Sequence, residues 1–207
     1  MANGIMYEFE KKYWAQNKEI FGIDEAGRGP LCGPLVVCGV SLPKEYINDE
    51  INDSKKLSAK KRKELFKEII LNAHSYKITI VQPAEIDRLN IYRATKFAMQ
   101  EMADDFNGVI LTDCMPLDNC EHESLVKGDS RSISIAAASI MAKVIRDHIM
   151  IGYDVLYPQY GFARHKGYAT KQHVQNIYKY GVLPIYRRSF QPIKTICHKE
   201  MLNSLDI

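Results

Sequence analysis

The segment IYRATKFAMQEMADDFNGVILTD, residues 91–113, decides the fold class of this chain. Its apolar and small residues recur at the spacing of one helix face: Ile91, Thr95, Ala98, Met102 and Phe106. That spacing predicts a helix, and the apolar run at 109–112 predicts a strand that ends at Asp113. Because a helix leading into a continuous apolar strand is typical of a buried sheet covered by helices, the segment predicts an α/β fold.

The sequence before this segment supplies further elements of the predicted sheet. Lys18 to Ile23 and Leu35 to Val40 are predicted as strands that pair as a hairpin across a Gly- and Pro-rich turn. A third strand is predicted where apolar residues alternate at 76, 78 and 80, and Ser58 is the predicted N-cap of the helix before it. The N-terminal half therefore contributes three strands and one helix.

The C-terminal half is predicted to be mainly helical. Residues 132–151 form a long helix that is apolar almost all round, so it should lie deep in the fold. Pro158 begins an irregular segment, after which Thr170 caps a helix that Gly181 ends. The predicted organisation is an N-terminal extension (1–17), an α/β domain (18–154) and a basic, aromatic-rich helical C-terminal region (155–207).

The composition of the 207 residues is that of a globular protein. Hydrophobic residues make up 46% and charged residues 26%, which excludes a disordered, collagen-like or coiled-coil chain. The longest nearly apolar stretch, Leu31 to Val40, is far shorter than the roughly 20 residues that cross a bilayer, so no membrane contact is expected. Both charge signs occur near the N-terminus, which argues against a secretory signal and for a cytoplasmic protein. The five cysteines, an odd number, are expected to be reduced, and the spacing of the tightest pairs does not match a zinc site.

Charge is segregated along the chain although the net charge is only +3. Residues 155–199 contain eight Lys or Arg and no Asp or Glu, whereas the other residues hold 20 basic and 25 acidic side chains. Eight aromatic residues are interleaved with these basic ones: Tyr157, Tyr160, Phe162, Tyr168, Tyr178, Tyr180, Tyr186 and Phe190. Basic groups that neutralise phosphates beside rings that stack on sugars or bases are typical of nucleic-acid binding. A solvated basic tail whose rings belong to the core is the alternative.

Four carboxylates lie where surface exposure is not the obvious explanation. Asp24 and Glu25 follow an apolar strand, Asp113 ends the buried strand, and Asp129 lies just before the long apolar helix. Adjacent carboxylates repel, and a divalent cation between them relieves the repulsion. Because phosphoryl transfer commonly uses two metal ions on a carboxylate cluster, the four residues fit that chemistry. A polar turn for the pair, a loop or N-cap for Asp113 and an N-cap for Asp129 are the alternatives.

The sequence around the first carboxylate pair resembles the signature of bacterial ribonuclease HII. The resemblance begins at Gly22-Ile23-Asp24-Glu25-Ala26-Gly27-Arg28-Gly29-Pro30-Leu31. It continues in the family's order through later blocks: Asn52 to Ser58, Lys127 to Ser130, Ala137 to Asp147, Tyr157 to Phe162, His165 to Thr170 and Arg188 to Phe190. One departure is Thr112-Asp113-Cys114-Met115, where many members carry Asp-Gly-Asn. The first 17 residues lie outside the resemblance.

The resemblance implies a ribonuclease H-like fold, a mixed sheet flanked by helices, with a C-terminal helical appendage. It implies a monomeric endoribonuclease that cleaves the RNA strand of RNA/DNA hybrids. Its substrates would include duplex DNA with single embedded ribonucleotides, and its products would carry 5′-phosphate and 3′-hydroxyl ends. Two Mg²⁺ or Mn²⁺ ions activate a water and stabilise the leaving oxygen in that chemistry.

Carried over position by position, the resemblance also assigns the metal ligands. Asp24, Glu25, Asp113 and Asp129 become the catalytic, metal-binding carboxylates. The backbone of Gly27-Arg28-Gly29 is expected to contact the ribose 2′-hydroxyl, the group that distinguishes RNA from DNA.

The remaining expected contacts with the substrate come from side chains. Tyr168 is expected to stack on the deoxyribose that follows the ribonucleotide, although a tyrosine taken alone is more often a packed core aromatic. Ser54, Lys55 and Lys56 are expected to meet phosphates, although the two lysines taken alone are a solvated charge pair. Arg188 completes the expected substrate-binding residues.

Other classes of function use part of this pattern. A non-catalytic hybrid-binding module needs the basic aromatic segment and not the carboxylates, and metal-dependent cleavage of a hybrid distinguishes the two. A carboxylate-pair glycosidase has no use for the acid-free segment. Within the nucleases, type-1 ribonuclease H prefers runs of ribonucleotides, so cleavage at one embedded ribonucleotide separates the two types.

Overall fold

The computed structural model describes residues 6–203, and within them the chain forms a five-stranded sheet. The strands are β1 (Ile20–Ala26), β2 (Leu35–Ser41), β3 (Ser75–Val81), β4 (Val109–Asp113) and β5 (His122–Leu125). Their order across the sheet is β3-β2-β1-β4-β5. Strand β1 pairs antiparallel with β2 and parallel with β4, and β4 pairs parallel with β5. The predicted mixed sheet and the hairpin of its first two strands are confirmed.

Helices flank this sheet, as predicted, and also form the C-terminal region. They are α1 (Glu8–Trp14), α2 (Ala59–Asn72), α3 (Pro83–Leu89), α4 (Ile91–Asp104), α5 (Ile133–Leu156), α6 (Phe162–His165), α7 (Lys171–Tyr180) and α8 (Ile193–Asn203). Short 3₁₀ turns lie at Gly128–Ser130 and Pro158–Tyr160. In the part of the chain that the structure describes, no helix is both long and apolar enough to cross a membrane.

Local signals account for several helix boundaries. Ser58 Oγ accepts a hydrogen bond from the Lys61 amide at 3.2 Å where α2 begins, and Thr170 caps α7 through the His173 amide at 3.2 Å. Each bond satisfies an amide that the first helical turn leaves without an intrahelical partner. Helix α7 ends before Gly181, whose φ of +86° favours glycine.

Three elements differ from their prediction. Strand β1 does not stop at Ile23 but continues through Asp24 and Glu25, because both residues pair with β2. Helix α5 continues beyond residue 151 to Leu156. Strand β3 forms, but its apolar residues at 76, 78 and 80 are exposed. The alternation of apolar and polar residues therefore predicted that a strand forms here, but it did not predict which face of the strand packs against the protein.

The chain forms two compact units that interleave along the sequence. The first, called the sheet unit, comprises residues 6–26, 36–80 and 95–145. The second, called the turn unit, comprises residues 27–35, 81–94 and 146–203. The predicted boundaries after residues 17 and 154 stay predictions.

The turn unit has a hydrophobic core of its own. Cys32, from the connection between β1 and β2, is buried together with Phe162 and Ile177 from the C-terminal helices. Tyr160 stacks on Phe162 with ring centroids 5.4 Å apart. The β1–β2 connection and the C-terminal region therefore form one packed body, although they are far apart in sequence.

Candidate active site

Two of the predicted metal ligands lie in β1, the central strand of the sheet. Asp24 is buried and Glu25 is half-buried, as expected for neighbouring residues whose side chains alternate along a strand. Strand β1 passes very close to the start of α5. Gly22 makes this approach possible, because a Cβ at that position would overlap the backbone of Ser134.

Asp113 is the last residue of β4, the strand next to β1. The parallel register pairs Ile23 with Thr112, so Asp24 and Asp113 follow at the same edge of the sheet. Open α/β sheets place their sites at this edge, where parallel strands end. One oxygen of the Asp113 carboxylate accepts a hydrogen bond from the Gly128 amide at 2.8 Å. This bond ties the end of β4 to the 3₁₀ turn that precedes α5.

Asp129 lies in that 3₁₀ turn and is buried. Lys55, whose side chain is largely exposed, places its Nζ 3.4 Å from Asp129 Oδ2. Asp53 helps to fix the backbone at Lys55, because its carboxylate accepts a hydrogen bond from the Lys55 amide at 2.9 Å. Lys56 is exposed. The structure thus places one of the two predicted phosphate-binding lysines directly beside a predicted metal ligand.

The predicted metal ligands influence one another electrostatically. Burial raises the pKa of Asp24 well above its ordinary value, and the negative charges of Glu25 and Asp113 raise it further. Burial and nearby carboxylates, Asp113 among them, also raise the pKa of Asp129, while Lys55 opposes that shift. The four carboxylates therefore concentrate negative charge at one edge of the sheet, which a cation would stabilise.

Ser139 connects Asp24 to α5, and Ser54 contacts Ser139. Ser139 of that helix donates a hydrogen bond to Asp24, which partly offsets the rise in the Asp24 pKa caused by burial. The hydroxyl oxygens of Ser54 and Ser139 are 2.9 Å apart, and Ser54 is buried. Since Ser139 uses its proton for Asp24, Ser54 is the donor in the serine pair. Ser54 lies in the interior, unlike Lys55, and its contact with a phosphate stays a prediction.

The side chains as they stand do not form a finished metal site. Among residues 6–203, no three His, Cys, Asp or Glu side chains are arranged so that they could hold a metal ion. The donor set nevertheless suits Mg²⁺ or Mn²⁺, because it consists of carboxylate oxygens only. The case for a metal site thus rests on the donor type and on the shared negative charge that raises the pKa of Asp24 and of Asp129.

The chain after β1 folds into a tight turn within the turn unit. Gly27 has a φ of +101°, which favours glycine, and a Cβ there would overlap the side chain of Arg146. Arg187 is fully buried and donates hydrogen bonds to the carbonyl oxygens of Gly27 (2.6 Å), Arg28 (3.0 Å) and Gly33 (3.0 Å). A guanidinium therefore fixes the predicted 2′-hydroxyl-binding turn from the inside.

Arg146 of α5 is a second buried arginine that holds the β1–β2 connection. It donates hydrogen bonds to the carbonyl oxygens of Pro34 (3.0 Å), Cys32 (3.1 Å) and Lys166 (2.9 Å). Burial and, to a smaller extent, the neighbouring Arg146 charge lower the pKa of Arg187 to about 10. Arginine stays protonated at neutral pH, so the turn is built around two positive charges.

Tyr168 lies beside the same turn. A Cβ on Gly29 would be 3.6 Å from the Tyr168 ring, which is ordinary contact distance. The tyrosine is 48% exposed, so part of its ring is available to a ligand. The Leu31 amide donates to the Gly167 carbonyl oxygen at 2.9 Å and links the two segments. The structure thus brings together the predicted 2′-hydroxyl-binding turn and the predicted stacking ring.

Two histidines hold the Tyr168 segment from the interior. His173 Nδ1 donates to the Tyr168 carbonyl oxygen at 2.8 Å, and its Nε2 accepts from the Tyr186 hydroxyl at 2.8 Å. His165 stacks on His173 with ring centroids 4.1 Å apart. Burial lowers the pKa of His173 to about 4, so the imidazole is neutral at physiological pH. Nε2 can accept the Tyr186 proton only in that neutral form, whereas Nδ1 donates in either form.

Sequence comparison places the chain among known proteins. The family model described as Ribonuclease HII matches residues 21–193. Ribonuclease HII of Francisella tularensis subsp. novicida (strain U112) is 52% identical over 182 residues, which cover 86% of this chain and 98% of that relative. This chain belongs to the ribonuclease HII family.

Solved structures are similar to this ribonuclease HII family member throughout the sheet and helices. The ribonuclease H2 from Pyrococcus horikoshii OT3 has a TM-score of 0.75 and 25% identity, and the similarity covers 87% of this chain and 98% of that one. Bst-RNase HIII, solved in complex with Mn²⁺, has the same fold with a TM-score of 0.65 and 17% identity, covering 88% of this chain and 70% of that one. The ribonuclease H-like fold is therefore confirmed. Membership makes the chain an endoribonuclease of a metal-dependent hydrolase family that acts on RNA/DNA hybrids.

Cys114 directly follows Asp113, in the segment where the sequence departs from the family signature. Its φ is +53°, in the left-handed region that favours glycine. The Cys114 amide donates to the Leu125 carbonyl oxygen at 3.0 Å, which fixes the residue in this conformation. The cysteine therefore introduces backbone strain directly after Asp113.

Sequence reasoning missed the residues that support this ribonuclease HII site from within. Arg187 was only counted among the eight basic residues of 155–199, yet it is buried. The predicted contact Arg188 is exposed, and its amide donates to Asp87 Oδ2 at 2.7 Å. The position of Arg146 in a largely apolar helix was the available signal, because a charge there needs a specific partner. His173 carried no comparable signal.

Proposed function

We propose that the chain cleaves the RNA strand of RNA/DNA hybrids and also incises duplex DNA at single embedded ribonucleotides, leaving 5′-phosphate and 3′-hydroxyl ends. The observation that carries the proposal is the position of the Tyr168 ring against Gly29. A ribose at the turn meets main chain without a side chain, and the sugar after it meets an exposed ring. This arrangement suits a junction between a ribonucleotide and a deoxyribonucleotide.

The turn reads the ribose through main-chain atoms. Arg187 engages the carbonyl oxygens of Gly27 and Arg28, so the turn is held before any substrate arrives. Gly29 is exposed and has no side chain to keep a sugar at a distance. A rigid site built to bond a hydroxyl discriminates strongly against a substrate that lacks it. The turn therefore favours a ribonucleotide over a deoxyribonucleotide.

The carboxylates of the sheet unit bind Mg²⁺ or Mn²⁺ in this proposal, through Asp24, Glu25, Asp113 and Asp129. Bound divalent cations activate water and stabilise the leaving 3′-oxygen. The protein's part is to hold the carboxylates: the Gly128 amide fixes Asp113, and Ser139 donates to Asp24. Lys55, exposed beside Asp129, adds a positive charge that attracts the phosphate.

Basic side chains of the turn unit supply further affinity for the nucleic acid. Most of the basic residues in the acid-free segment are exposed: Arg164, Lys171, Lys179, Arg188, Lys194 and Lys199. Each phosphate that they neutralise releases counterions. The free thiols of the cysteines suit a reducing compartment, which supports the expectation of a cytoplasmic enzyme. We also propose that it acts as a monomer, which gel filtration tests.

A module that binds hybrids without cutting them is the less favoured function. Such a module has no need for buried carboxylates that raise one another's pKa, because this repulsion destabilises the fold. Concentrated charge of this kind marks functional sites.

The test compares two substrates, a DNA duplex with one ribonucleotide and a long RNA/DNA hybrid. Ring stacking is worth roughly 1–3 kcal/mol, so Tyr168→Ala should lose about ten- to a hundredfold at the single ribonucleotide and less on the hybrid. Tyr168→Phe keeps the ring and should lose less. Tyr178→Ala removes another exposed tyrosine of the turn unit and should match the wild type. A Tyr168→Ala variant with a lowered melting temperature and an unchanged ratio of the two activities would contradict the junction role.

A further inference from the structure

Helix α1 lies before residue 21, where the match to the family model begins, yet it is packed into the sheet unit. Tyr7, Tyr13 and Trp14 are buried, and so is Glu10, which has no exposed surface. Burying a carboxylate is costly unless its partners compensate for the lost water. The partners of Glu10 therefore indicate what the extension does.

Glu10 bonds to the start of α5. Its Oε1 accepts hydrogen bonds from the Ser132 hydroxyl at 2.5 Å and from the Ser134 amide at 3.1 Å. Ser132 Oγ in turn accepts from the Ile135 amide at 3.3 Å. The first amides of a helix lack intrahelical partners, and the helix N-terminus favours negative charge. Glu10 therefore caps α5 from a distant part of the sequence.

The start of α5 is also connected to both sides of the proposed metal site. The turn that carries Asp129 continues directly into the helix, because the Ser132 amide donates to the Gly128 carbonyl oxygen at 2.9 Å. On the other side, Gly22 lies two residues before Asp24 and touches the backbone of α5. A displacement of the first turn of α5 therefore moves Asp129 relative to Asp24.

Neighbouring residues hold the extension in place. The Tyr7 hydroxyl donates to Asp49 at 3.2 Å and accepts from the Asn48 amide at 3.0 Å. The Arg131 guanidinium lies over the Phe9 ring, 5.0 Å from its centroid. Tyr7 and Phe9 lie directly before Glu10 in the sequence, so these contacts fix the direction from which Glu10 reaches α5.

We propose that Glu10 is a positioning residue for hydrolysis, which fixes the first turn of α5 and thereby the place of Asp129. This inference rests on the proposed role of Asp129 as a metal ligand. Within residues 6–203 the hydrogen bonds of the Glu10 carboxylate go to the start of α5 and not to a proposed metal ligand, so it acts through the helix. Ligands of a catalytic site must be held within about half an ångström, so loss of the cap lowers turnover and spares hybrid binding.

Three variants separate this role from general stabilisation. Glu10→Ala removes both acceptor interactions, Glu10→Gln retains an acceptor oxygen with the same reach, and Glu8→Ala removes an exposed carboxylate of the same helix. One measurement is kcat and KM on an RNA/DNA hybrid with saturating Mg²⁺, well below the melting temperature. The other is amide hydrogen exchange across residues 128–136 in the protein without substrate.

Glu10→Ala should lower kcat about tenfold or more, leave KM within about twofold, and speed exchange at Ser134 and Ile135 about tenfold. Glu10→Gln should recover most of both losses, and Glu8→Ala should behave as the wild type. If Glu10→Ala does not fold, Glu10→Asp replaces it with the same expected loss, because its side chain is shorter.

Two results would overturn the inference. One is a kcat within about twofold of the wild type for Glu10→Ala, whatever happens to its melting temperature. The other is unchanged exchange at Ser134. Normal cleavage by Asp129→Asn would instead contradict the proposed metal ligand, so the two failures are distinguishable.

Discussion

Replacing His173 by Asn should flatten the dependence of stability on pH. Burial lowers the pKa of His173 from 6.5 to about 4 in the folded protein. Between these pH values the unfolded chain binds a proton that the folded chain does not. Folding stability therefore decreases as the pH falls from 6.5 towards 4. Asn retains a donor for the Tyr168 carbonyl oxygen but does not titrate.

The size of the effect follows from the shift in pKa. One pKa unit corresponds to about 1.4 kcal/mol, so a shift from 6.5 to about 4 limits the contribution to about 3 kcal/mol. Of this, about 2 kcal/mol should be lost between about pH 7 and pH 4.5. His173 has no exposed surface, so solvent does not weaken the effect. Carboxylates titrate in the same range in both proteins, so the difference between the proteins isolates the imidazole.

Urea denaturation at the two pH values gives the free energies of unfolding. The smaller Asn lowers stability at both values, and only the change with pH enters the comparison. His198→Asn, which replaces an exposed histidine, is the matched control. Its free energy of unfolding should fall between the two pH values by as much as that of the wild type. Equal pH dependence in wild type and His173→Asn would show that the imidazole is not held neutral in the interior. His173 would then not brace the Tyr168 segment as a neutral donor and acceptor.

Two further substitutions test the frame of the site. Arg187→Lys replaces a guanidinium that donates to three carbonyl oxygens, and leaving buried carbonyls unpaired costs about 1–3 kcal/mol. Calorimetry should show a lower melting temperature and incision assays a weaker preference for ribonucleotides, while Arg88→Lys, at an exposed arginine, should change neither. A wild-type melting temperature for Arg187→Lys would refute its role in holding the turn. Cys114→Gly removes the backbone strain of a side-chain-bearing residue in the left-handed region. It should raise the free energy of unfolding by up to about 1 kcal/mol and leave cleavage unchanged. A lowered melting temperature would show that the backbone at Cys114 is not strained.

Local signals in the sequence predicted the elements that carry the site. The Ser58 cap, the apolar run that ends at Asp113 and the first two strands all depend on neighbouring residues, and all are present. The sequence pattern did not predict α1, α3, α6, β5 or α8. The first four have at most seven residues each, too few for a period to be recognised. The presence of an element was therefore easier to predict than the face on which it packs.

The supporting contacts of the site could not be predicted from neighbouring residues. Arg187 and Arg188 are adjacent, yet only Arg187 is buried, because its partners are carbonyl oxygens of a turn far away in sequence. Glu10 likewise depends on Ser132 and Ser134, which only the folded chain brings near. The basic aromatic segment was divided by the fold, with Tyr160, Phe162 and Tyr186 in the core and Tyr168 exposed. The interpretation as core rings therefore holds for the three buried aromatics, and nucleic-acid binding by the exposed part stays a prediction.

Hybrid cleavage by Asp113→Asn, measured together with hybrid binding by fluorescence anisotropy, tests whether the four carboxylates hold the catalytic metal ions. Asn keeps the size of the side chain and an acceptor for the Gly128 amide but removes one negative charge from the proposed metal site. Turnover with Mg²⁺ or Mn²⁺ should fall on the order of a hundredfold or more while binding is retained. Asp118→Asn, at an exposed carboxylate in the connection between β4 and β5, should cleave normally. Near-normal cleavage by Asp113→Asn would contradict the assignment of the carboxylates as the ligands of the catalytic metal ions.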